Sequence, residues 1–239
     1  MDIVLIPGLW LDGSSWDEVV PVLDEAGHRT HALTLPGMES RDADRSAITL
    51  RDHVDAVVDV VDSLAPAGGK VVLVGHSGGG AIAHAAADAR PDKVARVIYV
   101  DSWPLGEGGV INDGFPSEND EVPLPDWSLF DAEDLVDLDE DRRAMFRERA
   151  IPSPVHVPSD RQELHDARRY EVPVTVIACE FPSATLLEWM EQGEPALQEL
   201  AKIGDVQYID LPTGHWPQFT RPRGLGQAIL AGVDQPLIA

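Results

Sequence analysis

Residues 70–90 read KVVLVGHSGGGAIAHAAADAR and join two apolar stretches around a short polar motif. The run KVVLV is rich in β-branched residues, which is typical of a strand that is covered on both faces. The alanine-rich run GAIAHAAADAR is predicted to form a helix. Between them, residues 75–79 read GHSGG and fit the pattern G-x-S-x-G. The pattern alone is weak, but a position between a strand and a helix is the context that gives it meaning.

The glycines around Ser77 have a conformational explanation. A sharp strand-to-helix turn forces its central residue into a sparsely populated backbone region. Side chains at positions 75 and 79 would clash in such a turn. We therefore expect the turn to lift the Ser77 hydroxyl clear of the sheet, close to the free N–H groups at the start of the helix. The alternative is that the glycines only allow a tight turn.

Similar apolar runs recur along the chain, and helical patterns separate them. This alternation predicts a parallel sheet with right-handed crossovers. In one of the helices, Thr49 and Asp52 form a capping pattern in front of an apolar stripe, and Pro66 ends the stripe. The predicted strands cover 2–6, 30–35, 70–74, 96–100, 172–178 and 206–211.

The interval between the fourth and fifth predicted strands is too long for an ordinary crossover. We predict that residues 104–170 form a mostly helical lid, with a helix around 131–150, inserted over one end of the sheet. Residues 1–103 and 171–239 then form the core. A disordered acidic linker is the alternative, but the interval is rich in aromatic residues, which disordered segments lack.

The composition limits the partners of the protein. The 239 residues carry a formal net charge of −24, which repels nucleic acid and anionic membranes. The single cysteine, Cys179, excludes an internal disulfide and a cysteine-based zinc cluster. No apolar run approaches the ~20 residues of a membrane span, and the start MDIVLIPG has no secretory pattern. We expect a cytoplasmic monomer or homodimer that binds a small molecule, with no nucleic-acid or membrane partner.

A serine hydroxyl becomes a useful nucleophile only when a base accepts its proton and an acid orients that base. His215 lies in the loop just beyond the last predicted strand, and we predict that it is the base. The other histidines lie around the second strand, on helices, in or beside the lid, or directly next to Ser77.

Three carboxylates are candidates for the orienting acid. Asp101 directly follows the fourth predicted strand, and Glu180 follows the fifth. We prefer Asp101 because its shorter side chain holds an imidazole more rigidly. Glu180 and Asp210 remain open, and Asp101 could instead cap the turn DSWP.

Backbone N–H groups would complete the site as an oxyanion hole. One donor is expected from Gly78, the residue after the serine. The other is expected from the loop after the first strand, IPGLW, where Gly8 allows close backbone approach. Leu9 is our choice and Trp10 the second choice, while a simple tight turn is the alternative for this loop.

Together these residues resemble the α/β-hydrolase superfamily. The order Ser77, then Asp101 or Glu180, then His215 is the order of that family, and residues 6–37 resemble the opening of its lidded single-domain esterases, lactonases and hydroxynitrile lyases. The resemblance implies an α/β-hydrolase fold with six parallel strands in the order 2-1-3-4-5-6, flanked by helices and carrying the lid.

Three departures from the family pattern bear on this expectation. The leading hairpin of the family has no counterpart, and Pro7–Gly8 replaces a frequent His-Gly. The usual acid position, in CEFPSATLL, holds no aspartate, but some relatives carry the acid one strand earlier, where Asp101 stands. A serine at position 77 also disfavours dehalogenase and epoxide-hydrolase chemistry, which needs a carboxylate nucleophile.

The resemblance implies a carboxylesterase-like serine hydrolase that acts on a small or aromatic ester or lactone, without metal or organic cofactor. The alternatives are a same-fold carbon–carbon hydrolase, lyase or perhydrolase, and a ligand-binding member of the fold without activity. Aromatic side chains of the lid and rim are predicted to line an apolar substrate pocket, although they could equally pack the core: Trp10, Trp103, Trp127, Phe130 and Trp216.

Overall fold

A computed structural model describes residues 1–66 and 68–234. Its eight strands are β1 (Asp2–Ile6), β2 (Arg29–Ala32), β3 (Val71–His76), β4 (Val94–Val100), β5 (Glu121–Val122), β6 (Ser153–Pro154), β7 (Val174–Ala178) and β8 (Val206–Asp210). Its eight α-helices are α1 (Val20–Glu25), α2 (Leu50–Leu64), α3 (Gly78–Ala89), α4 (Glu140–Arg149), α5 (His156–Ser159), α6 (Ser183–Glu191), α7 (Pro217–Thr220) and α8 (Pro222–Val233).

Six of the strands form one parallel sheet in the order β2-β1-β3-β4-β7-β8. The predicted fold class is confirmed. The labels differ from the predicted 2-1-3-4-5-6 because the short strands β5 and β6, which we did not predict, lie between β4 and β7 in the chain and pair with each other. If only the six strands of this sheet are numbered, their order is 2-1-3-4-5-6, as predicted.

The sheet is buried because helices cover both of its faces. Every residue of β1, β3 and β7 is buried. Val4 and Ile6 of β1 face a core that includes α2 and α3, whereas Ile3 and Leu5 face a second core that includes α8. This two-sided burial explains why these strands read as continuous apolar runs.

The local sequence determines where helix α2 begins and ends. The Thr49 hydroxyl accepts a hydrogen bond from the Asp52 N–H at 3.2 Å, and the Asp52 carboxylate accepts one from the Thr49 N–H at 2.8 Å. This reciprocal capping box begins the helix. The helix ends at Leu64, ahead of Pro66.

Residues 104–170 are not mostly helical, so this expectation is wrong. Their α-helical part consists of α4 and the four-residue α5, and the helix expected over 131–150 begins only at Glu140. Most of the segment is irregular chain. It is ordered by contacts with the core instead: Trp10 donates its N–H to Ser153 Oγ at 2.9 Å and its indole N–H to the Val122 carbonyl at 3.0 Å.

No helix within the described ranges combines the length and the apolar composition that a bilayer crossing requires.

The capping box gives a stability prediction. Replacing Thr49 by alanine removes the hydroxyl that accepts from Asp52, so we expect the free energy of unfolding to fall by about 1 kcal/mol. Thr49→Ser keeps the hydroxyl and should stay within a few tenths of the parent. Urea unfolding followed by circular dichroism measures both. An unchanged stability for Thr49→Ala would contradict the role assigned to this cap.

Candidate active site

The turn at Ser77 has the strained geometry that the sequence predicted. β3 ends at His76 and α3 begins at Gly78, and Ser77 between them has φ 53° and ψ −125°. A Cβ atom on Gly75 would lie 2.4 Å from the Gly79 carbonyl oxygen, and one on Gly79 would lie 2.5 Å from the Ile6 carbonyl oxygen. The glycines are therefore required by close packing of the elbow against its own helix and against β1, not only by a turn.

His215 lies beside Ser77 and is held from both sides. Its Nε2 atom is 2.8 Å from Ser77 Oγ. Its backbone N–H donates to the Asp134 carbonyl at 2.8 Å, and its carbonyl accepts from His76 Nε2 at 2.7 Å. Burial lowers the pKa of His76 to about 3, so this ring is a neutral donor. His215 is thus held by the sheet through His76 and by the segment 104–170 through Asp134.

Two carboxylates meet the other ring nitrogen of His215. Its Nδ1 atom is 2.6 Å from Asp101 Oδ2 and 2.7 Å from Glu180 Oε1. The contact with Asp101 has hydrogen-bond geometry, whereas Glu180 Oε1 has no hydrogen-bond donor among the described residues. Asp101 Oδ1 also accepts from the N–H groups of Cys179 and Glu180, each at 3.1 Å. Asp101 is therefore the better-held partner of His215, and Glu180 is a second carboxyl group in contact with the same ring nitrogen.

The tautomer of His215 follows from these contacts. An ionised Asp101 can only accept hydrogen bonds, so Nδ1 must carry the proton that it receives. In the neutral ring Nε2 is then the acceptor, facing the Ser77 hydroxyl. Asp210, the third candidate acid, lies elsewhere and accepts from the Ser183 N–H at 2.7 Å, at the start of α6.

Two backbone N–H groups near Ser77 are free to receive an oxyanion. Within residues 1–66 and 68–234, the N–H groups of Leu9 and Gly78 donate to no acceptor. The N–H of Trp10, our second choice, is already bonded to Ser153. The geometry therefore favours Leu9, our first choice, over Trp10 as the second donor beside Gly78.

Two cavities open beside Ser77 and share Ile111 as a common wall. The small lobe, of about 240 Å³, is bounded by Gly78, Ala81, Ser102, Trp103 and Leu105. The aromatic lobe, of about 340 Å³, is bounded by Leu9, Trp10, Phe115, Phe130 and His215. A larger cavity of about 360 Å³ lies between α2 and residues 160–163 and is lined by none of the predicted site residues.

The five predicted pocket aromatics divide into two groups. Trp10, Trp103 and Phe130 line the two lobes. Trp127 and Trp216 line neither lobe and pack edge to face, with ring centroids 5.9 Å apart, so their prediction as pocket residues is wrong. Trp216 is 2% exposed and also packs against Phe146 and the imidazole of His215. Trp216 therefore supports the His215 side chain directly, and Trp127 packs against Trp216.

Sequence reasoning did not assign Ile111, Leu105 or Phe115 to the site. Each belongs to the irregular chain before β5, where no periodic pattern shows which side chains point inward. Their aromatic and aliphatic character in an otherwise polar segment was the available signal.

The cluster of Asp101, Glu180 and His215 offers three atoms close enough to hold a cation. Hydrogen bonding already accounts for the arrangement. Nδ1 of His215 is protonated towards Asp101, and a protonated nitrogen cannot ligate a metal.

A model of the alpha/beta hydrolase family matches residues 3–228. The chain belongs to this family.

Two proteins are similar to this chain in sequence, one over most of its length and one over part of it, and a third is similar in structure. The hydrolase is 28% identical to the pyrethroid hydrolase of Sphingobium wenxiniae, over 98% of this chain and 88% of that protein. It is 36% identical to methylesterase 8 of Arabidopsis thaliana, over 42% of this chain and 37% of the plant protein. The solved structure of an extracellular α/β-hydrolase from a Paenibacillus species has a TM-score of 0.76 at 20% identity, with 97% and 98% of the two chains covered. The chain is an esterase-type α/β-hydrolase.

Burial and the neighbouring carboxylates have opposite effects on the pKa of His215. Burial disfavours the imidazolium, but the adjacent carboxylates of Asp101 and Glu180 outweigh it and raise the pKa of His215 above its ordinary value of 6.5. Burial also disfavours an ionised Asp101, but the hydrogen bond from His215 holds the pKa of Asp101 below its usual value. Burial and the charge of Asp101 raise the pKa of Glu180.

These shifts give a prediction for the pH dependence of the hydrolase. His215 accepts a proton only when it is neutral, so activity must rise as pH rises through its pKa. Because that pKa is raised, we expect the acidic limb of kcat/KM to lie above pH 6.5. Initial rates with a non-ionising ester between pH 5 and 10 measure it, with circular dichroism as a control for folding. A flat profile between pH 5 and 8 would contradict the assignment.

Proposed function

We propose that this hydrolase cleaves a small or aromatic carboxylic ester or lactone through a Ser77–His215–Asp101 triad and an acyl-enzyme. The observation that carries the proposal is the continuous chain of contacts from Ser77 Oγ to His215 Nε2 at 2.8 Å and from His215 Nδ1 to Asp101 Oδ2 at 2.6 Å. Both distances are within hydrogen-bond range. The hydrolase and esterase names of the similar proteins support an ester substrate.

Acylation begins with transfer of the Ser77 proton to His215 Nε2 as Oγ attacks the substrate carbonyl carbon. The resulting imidazolium is stabilised by Asp101, which keeps its charge throughout. The carbonyl oxygen becomes an oxyanion between the N–H groups of Leu9 and Gly78. Gly78 is the first residue of α3, so the helix dipole adds positive potential at that point.

Collapse of the tetrahedral intermediate releases the alcohol. The imidazolium of His215 gives its proton to the leaving oxygen, and the C–O bond to the alcohol breaks. Water then enters, loses a proton to His215 and attacks the acyl-enzyme carbonyl. A second collapse returns the proton to Ser77 Oγ and frees the carboxylic acid, so each turnover consumes one ester and one water.

The role of Ser77 has a direct test. We expect a fluorophosphonate probe to label the parent protein and not Ser77→Ala, because only the activated hydroxyl attacks the phosphorus. Hydrolysis of 4-nitrophenyl acetate should fall at least 10³-fold in the variant. Ser63→Ala is the matched control, since Ser63 is an exposed residue of α2 whose hydroxyl donates to the Val60 carbonyl and which lines neither lobe. Labelling that persists in Ser77→Ala would disprove the proposed nucleophile.

A second pair of variants separates the two carboxylates. Asp101→Asn places an amide N–H₂ against the protonated Nδ1 of His215 and should lower kcat by 10²-fold or more. Glu180→Gln leaves the aligned hydrogen bond between Asp101 and His215 in place and should lower kcat by less than 10-fold. Steady-state kinetics on 4-nitrophenyl acetate compare them. The opposite ranking would make Glu180 the orienting acid.

A further inference from the structure

We propose that Ile111 divides the active site by substrate part, so that the acyl group occupies the small lobe and the alcohol group occupies the aromatic lobe. The inference rests on the proposed ester hydrolysis and goes beyond it by naming the substrate class: esters of a short, unbranched acid with a bulky aromatic alcohol. Ile111 lines both lobes, and Ser77 lies at the base of both.

The side chain of Ile111 stands directly over the start of α3. Its Cγ2 atom lies 3.2 Å from the position that a Cβ on Gly78 would take, and its Cδ1 atom lies 3.6 Å from it. Leu9 lines the aromatic lobe and Gly78 lines the small lobe. A carbonyl oxygen that receives both N–H groups must therefore sit beneath Ile111, with its two substituents directed to opposite sides of this side chain.

Backbone hydrogen bonds hold the chain around Ile111 in place, so its side chain forms a fixed partition between the two lobes. The Asn112 N–H donates to the Pro158 carbonyl at 2.9 Å. Gly108 and Gly109 exchange backbone hydrogen bonds with Gln162, at 2.8 and 2.7 Å. The Gln162 side chain in turn donates to the Ala81 carbonyl of α3 at 2.8 Å. The partition is thus tied to the same helix that begins at the elbow.

The position of His215 decides which substituent goes to which side. The leaving oxygen must take a proton from His215 Nε2, so the alcohol has to lie within hydrogen-bond reach of this ring. His215 lines the aromatic lobe and not the small lobe. The alcohol therefore extends into the aromatic lobe, and the acyl chain is directed away from His215 into the small lobe.

The walls of the lobes indicate the chemistry that each accepts. In the aromatic lobe, Trp10 lies edge to face with Phe115 and Phe130, with ring centroids 5.0 and 5.8 Å apart. Such walls favour an aromatic alcohol. Asp131 and Asp134 also line this lobe, and their carboxylates disfavour an anionic one. The small lobe, at about 240 Å³, is below the ~300 Å³ of common ligand pockets and limits the acyl chain.

Two ester series test the division. The first varies the alcohol at constant acetate: methyl, benzyl and naphthylmethyl acetate. The second varies the acid at constant benzyl alcohol: acetate, butyrate and diphenylacetate. For the parent protein we expect kcat/KM to rise at least 10-fold from methyl to benzyl acetate. We expect it to fall at least 10-fold from benzyl butyrate to benzyl diphenylacetate.

Variants on either side of the partition give opposite changes. Ile111→Ala should raise the diphenylacetate-to-butyrate ratio of kcat/KM at least 10-fold, and Ile111→Val should raise it less. Leu105→Trp fills the small lobe and should lower the butyrate-to-acetate ratio at least 10-fold. Phe115→Ala should lower the benzyl-to-methyl ratio in the alcohol series. Leu187→Ala, an exposed residue of α6, is the control and should change no ratio.

The outcomes distinguish this inference from the proposed function. If fluorophosphonate does not label Ser77 and no ester is cleaved, the proposed function fails. If Ser77 is labelled and esters are cleaved, but methyl esters of bulky acids are preferred, the orientation is reversed and the inference is overturned. It is also overturned if folded Ile111→Ala and Ile111→Val leave the acid series unchanged.

Discussion

The turn at Ser77 is the constraint on which the rest of the site depends. A serine at φ 53° occupies a backbone region that costs about 1–3 kcal/mol, and it persists only where surrounding structure compensates the strain. Here β3 is hydrogen-bonded to neighbours on both sides, and α3 is buried along nearly its whole length. Trp10 and Asp101 also have positive φ values, 64° and 46°. Three of the non-glycine residues with positive φ values therefore follow β1, β3 and β4 and lie at the site.

Residues 104–170 contribute directly to the site. Ser153 and Val122 of this segment accept hydrogen bonds from the backbone N–H and the indole N–H of Trp10, and the Asp134 carbonyl accepts one from the His215 N–H. Gly214 allows this approach, because a Cβ there would lie 2.4 Å from the carbonyl oxygens of Asp134 and Val136. Loss of the packing of residues 104–170 would therefore disturb the loop that holds Trp10 and the imidazole of His215 together.

Electrostatics at His215 reflect a balance between burial and paired charge. The side chains of His215, Asp101 and Glu180 are 20%, 9% and 14% exposed, so solvent screens them little. One N–H group faces two carboxylates, and it can be aligned with only one of them. Burial and the nearby charge of Asp101 raise the pKa of Glu180, whereas the hydrogen bond from His215 outweighs burial and holds the pKa of Asp101 down. Of the two carboxyl groups beside the imidazole, Asp101 is therefore the one that more readily keeps its charge.

The sequence by itself determined the elbow at Ser77, the parallel sheet, the capped helix α2 and the placement of His215 and Asp101 beyond strand ends. These features depend on local patterns, since a strand's apolar run, a glycine-flanked turn and a capping box involve residues that are close in the chain. Only the tertiary structure decided that residues 104–170 are largely irregular, that Ile111 lies between two cavities, and that Trp216 packs against His215 rather than lining a cavity. These features depend on contacts between residues far apart in the chain, such as Trp10 with Ser153, and no periodic pattern in an irregular segment reveals which of its side chains face inward.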